Sequence, residues 1–209
     1  MANTSRSAHW SPPERAALTG LILAGGEGRR MGGADKGLQG FQGQTLVASV
    51  LACLTVQVST VLISANRNRA AYGRFGYPVI TDAEIYRGEG YAGPLAGLHA
   101  GLTRCTTEWL LCVPCDTPCL PTDLAVRLAA GRQGAPLAVA TCQGDSQPTV
   151  CLIHATLLAS LGNFLAAGER KVRAWQARVG AVSVNFDDPR QFANFNTLQS
   201  LTNFVEAQT

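Results

Sequence analysis

Between Leu23 and Lys36 the chain reads Leu-Ala-Gly-Gly-Glu-Gly-Arg-Arg-Met-Gly-Gly-Ala-Asp-Lys, and residues 25–36 hold five glycines, two arginines and one lysine. That mixture suits a polyanion. Glycine lets backbone amides approach a phosphate with no Cβ in the way, successive amides form a nest for its oxygens, and Arg30 and Lys36 supply neutralising charge. A plain surface loop is the alternative reading. Lysine is scarce, however: Lys36 and Lys171 stand against fifteen arginines. A compact ammonium on a flexible stem follows a moving phosphate better than a planar guanidinium does. Two familiar phosphate loops do not fit. The chain has no Gly-x4-Gly-Lys-Ser/Thr, and Gly26-Glu27-Gly28-Arg29-Arg30-Met31 ends in methionine where a dinucleotide fingerprint needs glycine.

Two carboxylates come after apolar runs in the same manner. Asp116 lies between Pro114 and Pro118, just past the apolar run 109–113, where a rigid turn would project it outward. One such carboxylate, completed by substrate phosphates and waters, is enough for Mg²⁺. The competing role is a helix cap near Pro121. Asp82 comes after the run 79–81 and suits base recognition: guanine offers adjacent N–H donors on its pairing edge, a carboxylate accepts both, and adenine presents the wrong pattern. An ordinary strand-end turn is its rival.

The elements that must position these groups alternate. Runs 18–24, 60–65, 79–81, 109–113, 137–141 and 149–153 read as strands. Residues 45–58, 69–75, 95–103, 122–130, 157–167 and 198–207 read as helices. Repeated βα units imply a three-layer α/β/α, Rossmann-like fold with a mainly parallel central sheet. Ligands of such sheets bind beyond the carboxyl ends of the strands, where the Gly25 loop, Asp82 and Asp116 all fall.

The 209 residues are 46% hydrophobic and 15% charged with a formal charge of +3, which fits a soluble chain with one sizeable core. The expected layout is a flexible leader over 1–17 and one domain over 18–209, divided into a nucleotide-binding half (18–141) and an acceptor-binding half (142–209). Basic residues are scattered, which argues against nucleic acid as a partner. No apolar stretch reaches bilayer length, and the opening residues lack the apolar core of a signal peptide, so the expectation is a cytoplasmic protein without membrane attachment. A monomer is expected. Cys112, Cys115 and Cys119 have a spacing that would serve a redox pair or a metal centre. Against that, side chains three apart on a strand face opposite ways, and no neighbouring histidine completes a site. The seven cysteines read as reduced core residues.

Leu23 to Lys36 also resembles the Leu-Ala-Gly-Gly…Arg-Met-Gly…Lys signature of the nucleotide-diphospho-sugar transferase-like superfamily of pyrophosphorylases and cytidylyltransferases. Its doubled Gly32-Gly33 resembles the molybdenum cofactor guanylyltransferases. Further landmarks of that family are Ala65-Asn66-Arg67, Gly93-Pro94-Leu95-Ala96-Gly97, Pro114-Cys115-Asp116-Thr117-Pro118, Gly168-Glu169-Arg170 and Asn194-Phe195-Asn196-Thr197. The resemblance implies a nucleotidyltransferase in which the terminal phosphate of Mo-molybdopterin attacks the α-phosphorus of GTP, with Mg²⁺ on Asp116. It further implies transient contacts with other molybdenum cofactor biosynthesis proteins. Lys36, Asp116 and Arg30 then carry catalysis, and Leu23, Ala24, Gly25, Gly26, Lys36, Asp82, Gly93 and Asp116 bind the nucleotide. The family often has asparagine at the position of Ser64, so either the Ser64 hydroxyl or the amide of Asn66 takes that contact. Pro148, Arg170, Lys171, Asn194 and Asn196 fall to the acceptor. Remaining alternatives are transfer of CMP or another nucleotide to a cofactor or sugar phosphate, and a non-catalytic nucleotide- or cofactor-binding module.

Overall fold

In the computed structural model, which describes residues 14–25, 35–82 and 93–195, seven strands form one sheet and two very short ones form a hairpin. In chain order the strands are β1 (Leu18–Leu23), β2 (Gly40–Phe41), β3 (Gln44–Thr45), β4 (Thr60–Ser64), β5 (Val79–Ile80), β6 (Trp109–Pro114), β7 (Leu137–Cys142), β8 (Asp145–His154) and β9 (Val182–Phe186). The helices are α1 (Leu46–Thr55), α2 (Arg69–Gly73), α3 (Pro94–Arg104), α4 (Leu124–Gly131), α5 (Leu158–Ala166) and α6 (Val172–Arg178). The sheet order is β5-β4-β1-β6-β8-β7-β9, with β8 antiparallel to both its neighbours and all other pairs parallel.

Both faces of the sheet are covered, which explains why its central strands read as unbroken apolar runs. Ile22, Val61, Ile63, Leu111 and Val113 face the core under α1 and α4. Leu21, Leu62, Leu110 and Cys112 face the one under α3, α5 and α6. From β1 the chain runs to β4 and β5 on one side, then crosses to β6 on the other, which leaves a crevice beyond the carboxyl ends of β1 and β6.

β8 is antiparallel because only two residues separate it from β7. Gln143 and Gly144 both have positive φ, 51° and 84°, as a tight hairpin turn requires. Two elements, α6 and β9, extend the sheet and its cover beyond the expected set. The expected helix over 198–207 and residues 1–13 of the leader lie outside the described residues. At the leader's end, Arg15 donates from Nε to Val58 O at 2.8 Å and from Nη2 to Thr55 O at 2.6 Å, anchoring the chain before β1.

Helix α3 packs closely on the sheet where Gly97 and Gly101 share its inner face. A Cβ on Gly101 would collide with the fully buried Leu21 side chain, and one on Gly97 would sit 2.8 Å from Ser64 Oγ. Gly101→Ala therefore gains about 1 kcal/mol of helix propensity but incurs overpacking of roughly 2–3 kcal/mol. We expect a net loss of about 1–2 kcal/mol, read as a lower denaturant midpoint with unchanged m.

Candidate active site

Asp116 is placed by backbone contacts on both sides. The β1–β6 ladder continues one step past the strand ends through Cys115 N to Leu23 O at 3.0 Å. The Asp116 carbonyl then accepts from Phe195 N at 3.1 Å. Phe195 is itself buried against Phe41, ring centroids 5.4 Å apart, in a small core with Leu46. The C-terminal segment thus braces the turn from behind and brings exposed Asn194 beside it.

Lys36 approaches from the far end of the glycine-rich segment. Its Nζ lies 3.4 Å from Asp116 Oδ2, with side-chain exposures of 25% and 11% for lysine and aspartate. Charges from two loops 80 residues apart in sequence therefore meet at the mouth of the crevice. The preceding Asp35 occupies the N-cap of the short 3-10 turn Lys36–Leu38 but does not cap it. Its Oδ1 instead accepts from Tyr72 Oη and its Oδ2 from Asn68 Nδ2 at 3.0 Å.

A second polar pair lies across β1. Asn66 donates from Nδ2 to Asp82 Oδ2 at 2.7 Å, and its Oδ1 accepts from Asp82 N at 3.0 Å. Asp82 is 8% exposed, and the reciprocal bonds fix both its backbone and its carboxylate. Gly25 faces this pair: a Cβ there would lie 3.6 Å from Asn66 Nδ2. Ala24 N bonds to Ser64 O at 2.8 Å, so Leu23, Ala24 and Gly25 run directly alongside the end of β4. Ser64 is buried with its hydroxyl toward Gly97 in α3, whereas the Asn66 amide is engaged with Asp82.

Of the residues expected on the acceptor side, Pro148, Arg170 and Lys171 lie on or against α6 and the loop before it. Pro148 lies in the irregular stretch of β8 where pairing with β7 shifts register, a position that tolerates its missing N–H, and its carbonyl accepts from Gln176 Nε2 of α6 at 2.7 Å. Exposed Lys171 opens α6. Arg170 turns its Nη1 back to Leu165 O and Glu169 O, at 2.8 and 2.9 Å, closing the end of α5. Gly93, with φ of 72°, abuts the same loop: a Cβ there would be 3.9 Å from Arg170 O. Gly26, Arg30 and Asn196 lie outside the described residues.

The cysteine spacing does not close into a cluster. Cys112 and Cys115 belong to cores on opposite faces of the sheet, and burial pushes both thiols up, while Cys119 is raised by burial more mildly. Among the described residues, no three His, Cys, Asp or Glu side chains gather into a set able to hold a metal ion. A divalent ion here would therefore lean on Asp116 and on substrate oxygens, a donor set that fits Mg²⁺.

The model of the MobA-like NTP transferase domain matches residues 20–182. The chain belongs to this family. It is 50% identical over 200 residues to the molybdenum cofactor guanylyltransferase of Ralstonia nicotianae, covering 90% of this chain and 96% of that one. The corresponding enzyme of Acidovorax ebreus is likewise 50% identical, over 88% of this chain and 93% of its own. Among solved structures, molybdopterin-guanine dinucleotide biosynthesis protein A from Archaeoglobus fulgidus superposes with a TM-score of 0.71 at 19% identity, covering 91% of this chain and all of that one. As a MobA-like NTP transferase, the chain is a nucleotidyltransferase.

Proposed function

We propose that the chain transfers GMP from GTP to the terminal phosphate of Mo-molybdopterin, releasing pyrophosphate and forming the molybdopterin guanine dinucleotide cofactor. The observation that carries this reading is the approach of Lys36 to Asp116 at the crevice, a cation and an anion poised where a triphosphate chain would cross from β1 to β6. The name of its relatives, molybdenum cofactor guanylyltransferase, supports GTP and the molybdenum cofactor precursor as substrates.

Asp82, oriented by Asn66, accepts from the N1–H and N2–H donors of guanine, and Gly25 leaves room for the base beside Asn66. Lys36 donates to the phosphate oxygens and stabilises the charge that builds as the α-phosphorus changes partner. Arg30 adds positive charge from the glycine-rich segment. Asp116 is the residue that holds Mg²⁺, which when bound supplies electrostatic stabilisation of the phosphates. Lys171 and Arg170, with the Pro148 segment, Asn194 and Asn196, receive the acceptor and hold its phosphate in line. The acceptor's own phosphate is the nucleophile, so the chain needs no covalent intermediate and supplies alignment and charge.

The division into nucleotide and acceptor halves near residue 142 belongs to the same reading, as do a monomeric state, a cytoplasmic location and passing contacts with other cofactor-biosynthesis proteins. No described helix is long and apolar enough to cross a membrane. The test is pyrophosphate release from purified protein given Mg²⁺, Mo-molybdopterin and, separately, GTP, CTP or ATP. Release with GTP alone is expected. Release with CTP instead would overturn the role of Asp82, and GTP binding without turnover on an acceptor proven active would leave only a binding module.

A further inference from the structure

We infer that Tyr72 and Asn68 are positioning residues for Lys36, acting through the carboxylate of Asp35; this deepens the proposed role of Lys36 and rests on it. An aspartate at an N-cap ordinarily accepts from the amides of its own first turn. Asp35 does not. Each of its carboxylate oxygens accepts from a side chain of the segment leading into and through α2: Oδ1 from Tyr72 Oη and Oδ2 from Asn68 Nδ2. Tyr72 is fully buried, so its hydroxyl is a fixed point and not a mobile surface group. Asn68 adopts φ of 49°, a left-handed conformation that asparagine tolerates and that starts α2 with its side chain toward Asp35.

The peptide on the other side of Lys36 is held as closely. A Cβ on Gly37 would sit 2.5 Å from Tyr72 Oη and 3.3 Å from Cys115 Cβ, so only glycine lets the chain pass between them. Gln39 Nε2 donates to Asp35 O at 3.0 Å and Gln39 N to Lys36 O at 3.0 Å, closing the turn. Lys36 is therefore bracketed by two residues pressed onto the same hydroxyl, and Cys115 is the immediate neighbour of Asp116. The clamp fixes the lysine relative to that aspartate before any ligand arrives.

Tyr72→Phe removes one hydroxyl and keeps the ring in the core. It should lower kcat for pyrophosphate release roughly tenfold with the KM for GTP nearly unchanged, the pattern of a contact felt in the transition state. The deciding readout is a double-mutant cycle with Lys36→Ala, monitored alongside thermal melting. If Tyr72 acts through Lys36, Tyr72→Phe costs nothing further in the Lys36→Ala background. Multiplying effects, or an unimpaired Tyr72→Phe single variant, would overturn the inference. Asn68→Gly keeps the left-handed backbone and should behave the same way; it decides the matter if Tyr72→Phe folds poorly. Undiminished activity of Lys36→Ala alone would instead remove the proposed role of the lysine, and the clamp's function with it.

Discussion

Asp116→Ala is expected to lower Mg²⁺-dependent pyrophosphate release on the order of a thousandfold while leaving the fold intact. The two halves of that expectation have separate causes. The fold survives because the turn is held by main-chain groups: Cys115 N on Leu23 O, and Asp116 O receiving Phe195 N. Neither bond involves the carboxylate. Activity is lost because the variant removes the carboxylate proposed to hold the ion, and the nearby Asp35 carboxylate is already engaged by Tyr72 Oη and Asn68 Nδ2. Lys36 would lose its partner at 3.4 Å, but it is a quarter exposed and water can solvate the ammonium, so the cost to stability is small. Asp116→Asn separates shape from charge. It should be nearly as inactive as the alanine variant, with partial recovery at high Mg²⁺ if a neutral oxygen still ligates weakly. Thermal melting checks the fold, and a Mg²⁺ titration of turnover checks the role. Near-normal turnover of Asp116→Ala would take the residue out of the mechanism.

Much of this site was legible because parallel-sheet chemistry is written at strand ends. The apolar runs before Gly25 and Asp116 are long enough to be recognised, the short one before Asp82 is read from its place in the βα alternation, and such strands deliver the residues at their carboxyl ends to one rim of the sheet. The grouping of Lys36 with Asp116 is a consequence of that rule. Residues that act on those groups from behind carried no comparable signal. Tyr72 looks like one aromatic residue in a short helix, and its contact with Asp35 depends on how α2 folds back over 37 residues of chain. The choice between Ser64 and Asn66 stood open in the sequence because both sit at the end of one strand. Their surroundings differ: the close approach of α3 at Gly97 buries Ser64, whereas the Asn66 amide reaches Asp82.

The missing elements fail for similar reasons. β9 alternates Val182, Val184 and Phe186 with Ser183 and Asn185, a correct period-2 pattern, but it is short and pairs with a strand more than forty residues away. α6 spans only Val172–Arg178, less than two turns beyond Lys171. It becomes stable through Trp175, fully buried in the core, and through Gln176, whose amide meets the Pro148 carbonyl. Helices this short owe their existence to tertiary contacts and not to propensity. The hairpin Gly40–Thr45 is shorter still, and its turn residues Gln42 and Gly43 both have positive φ.

Asp82→Asn is expected to lower kcat/KM for GTP about a hundredfold and to erase the preference for GTP over ITP. The sign is set by the fixed amide of Asn66. Its Oδ1 is taken by the Asp82 N–H, so its Nδ2 must point at the side chain of residue 82. Asparagine at that position will turn its carbonyl to Asn66 and present its NH₂ group toward the base, where guanine also presents donors. Donor faces donor, and the loss of two charge-assisted bonds corresponds to roughly 3 kcal/mol. Inosine triphosphate lacks the exocyclic amine and keeps N1–H. The unmodified chain should therefore use it about tenfold or more less well than GTP, because one carboxylate lone pair is left unmatched. In Asp82→Asn that penalty disappears, since the amine now meets a donor. Asn66→Ala should move the same ratio in the same direction but less, by freeing the carboxylate without neutralising it. Steady-state kinetics with the two nucleotides checks both variants. A GTP-to-ITP ratio that Asp82→Asn leaves unchanged would mean the base is read elsewhere and would return Asp82 to a structural role at the end of β5.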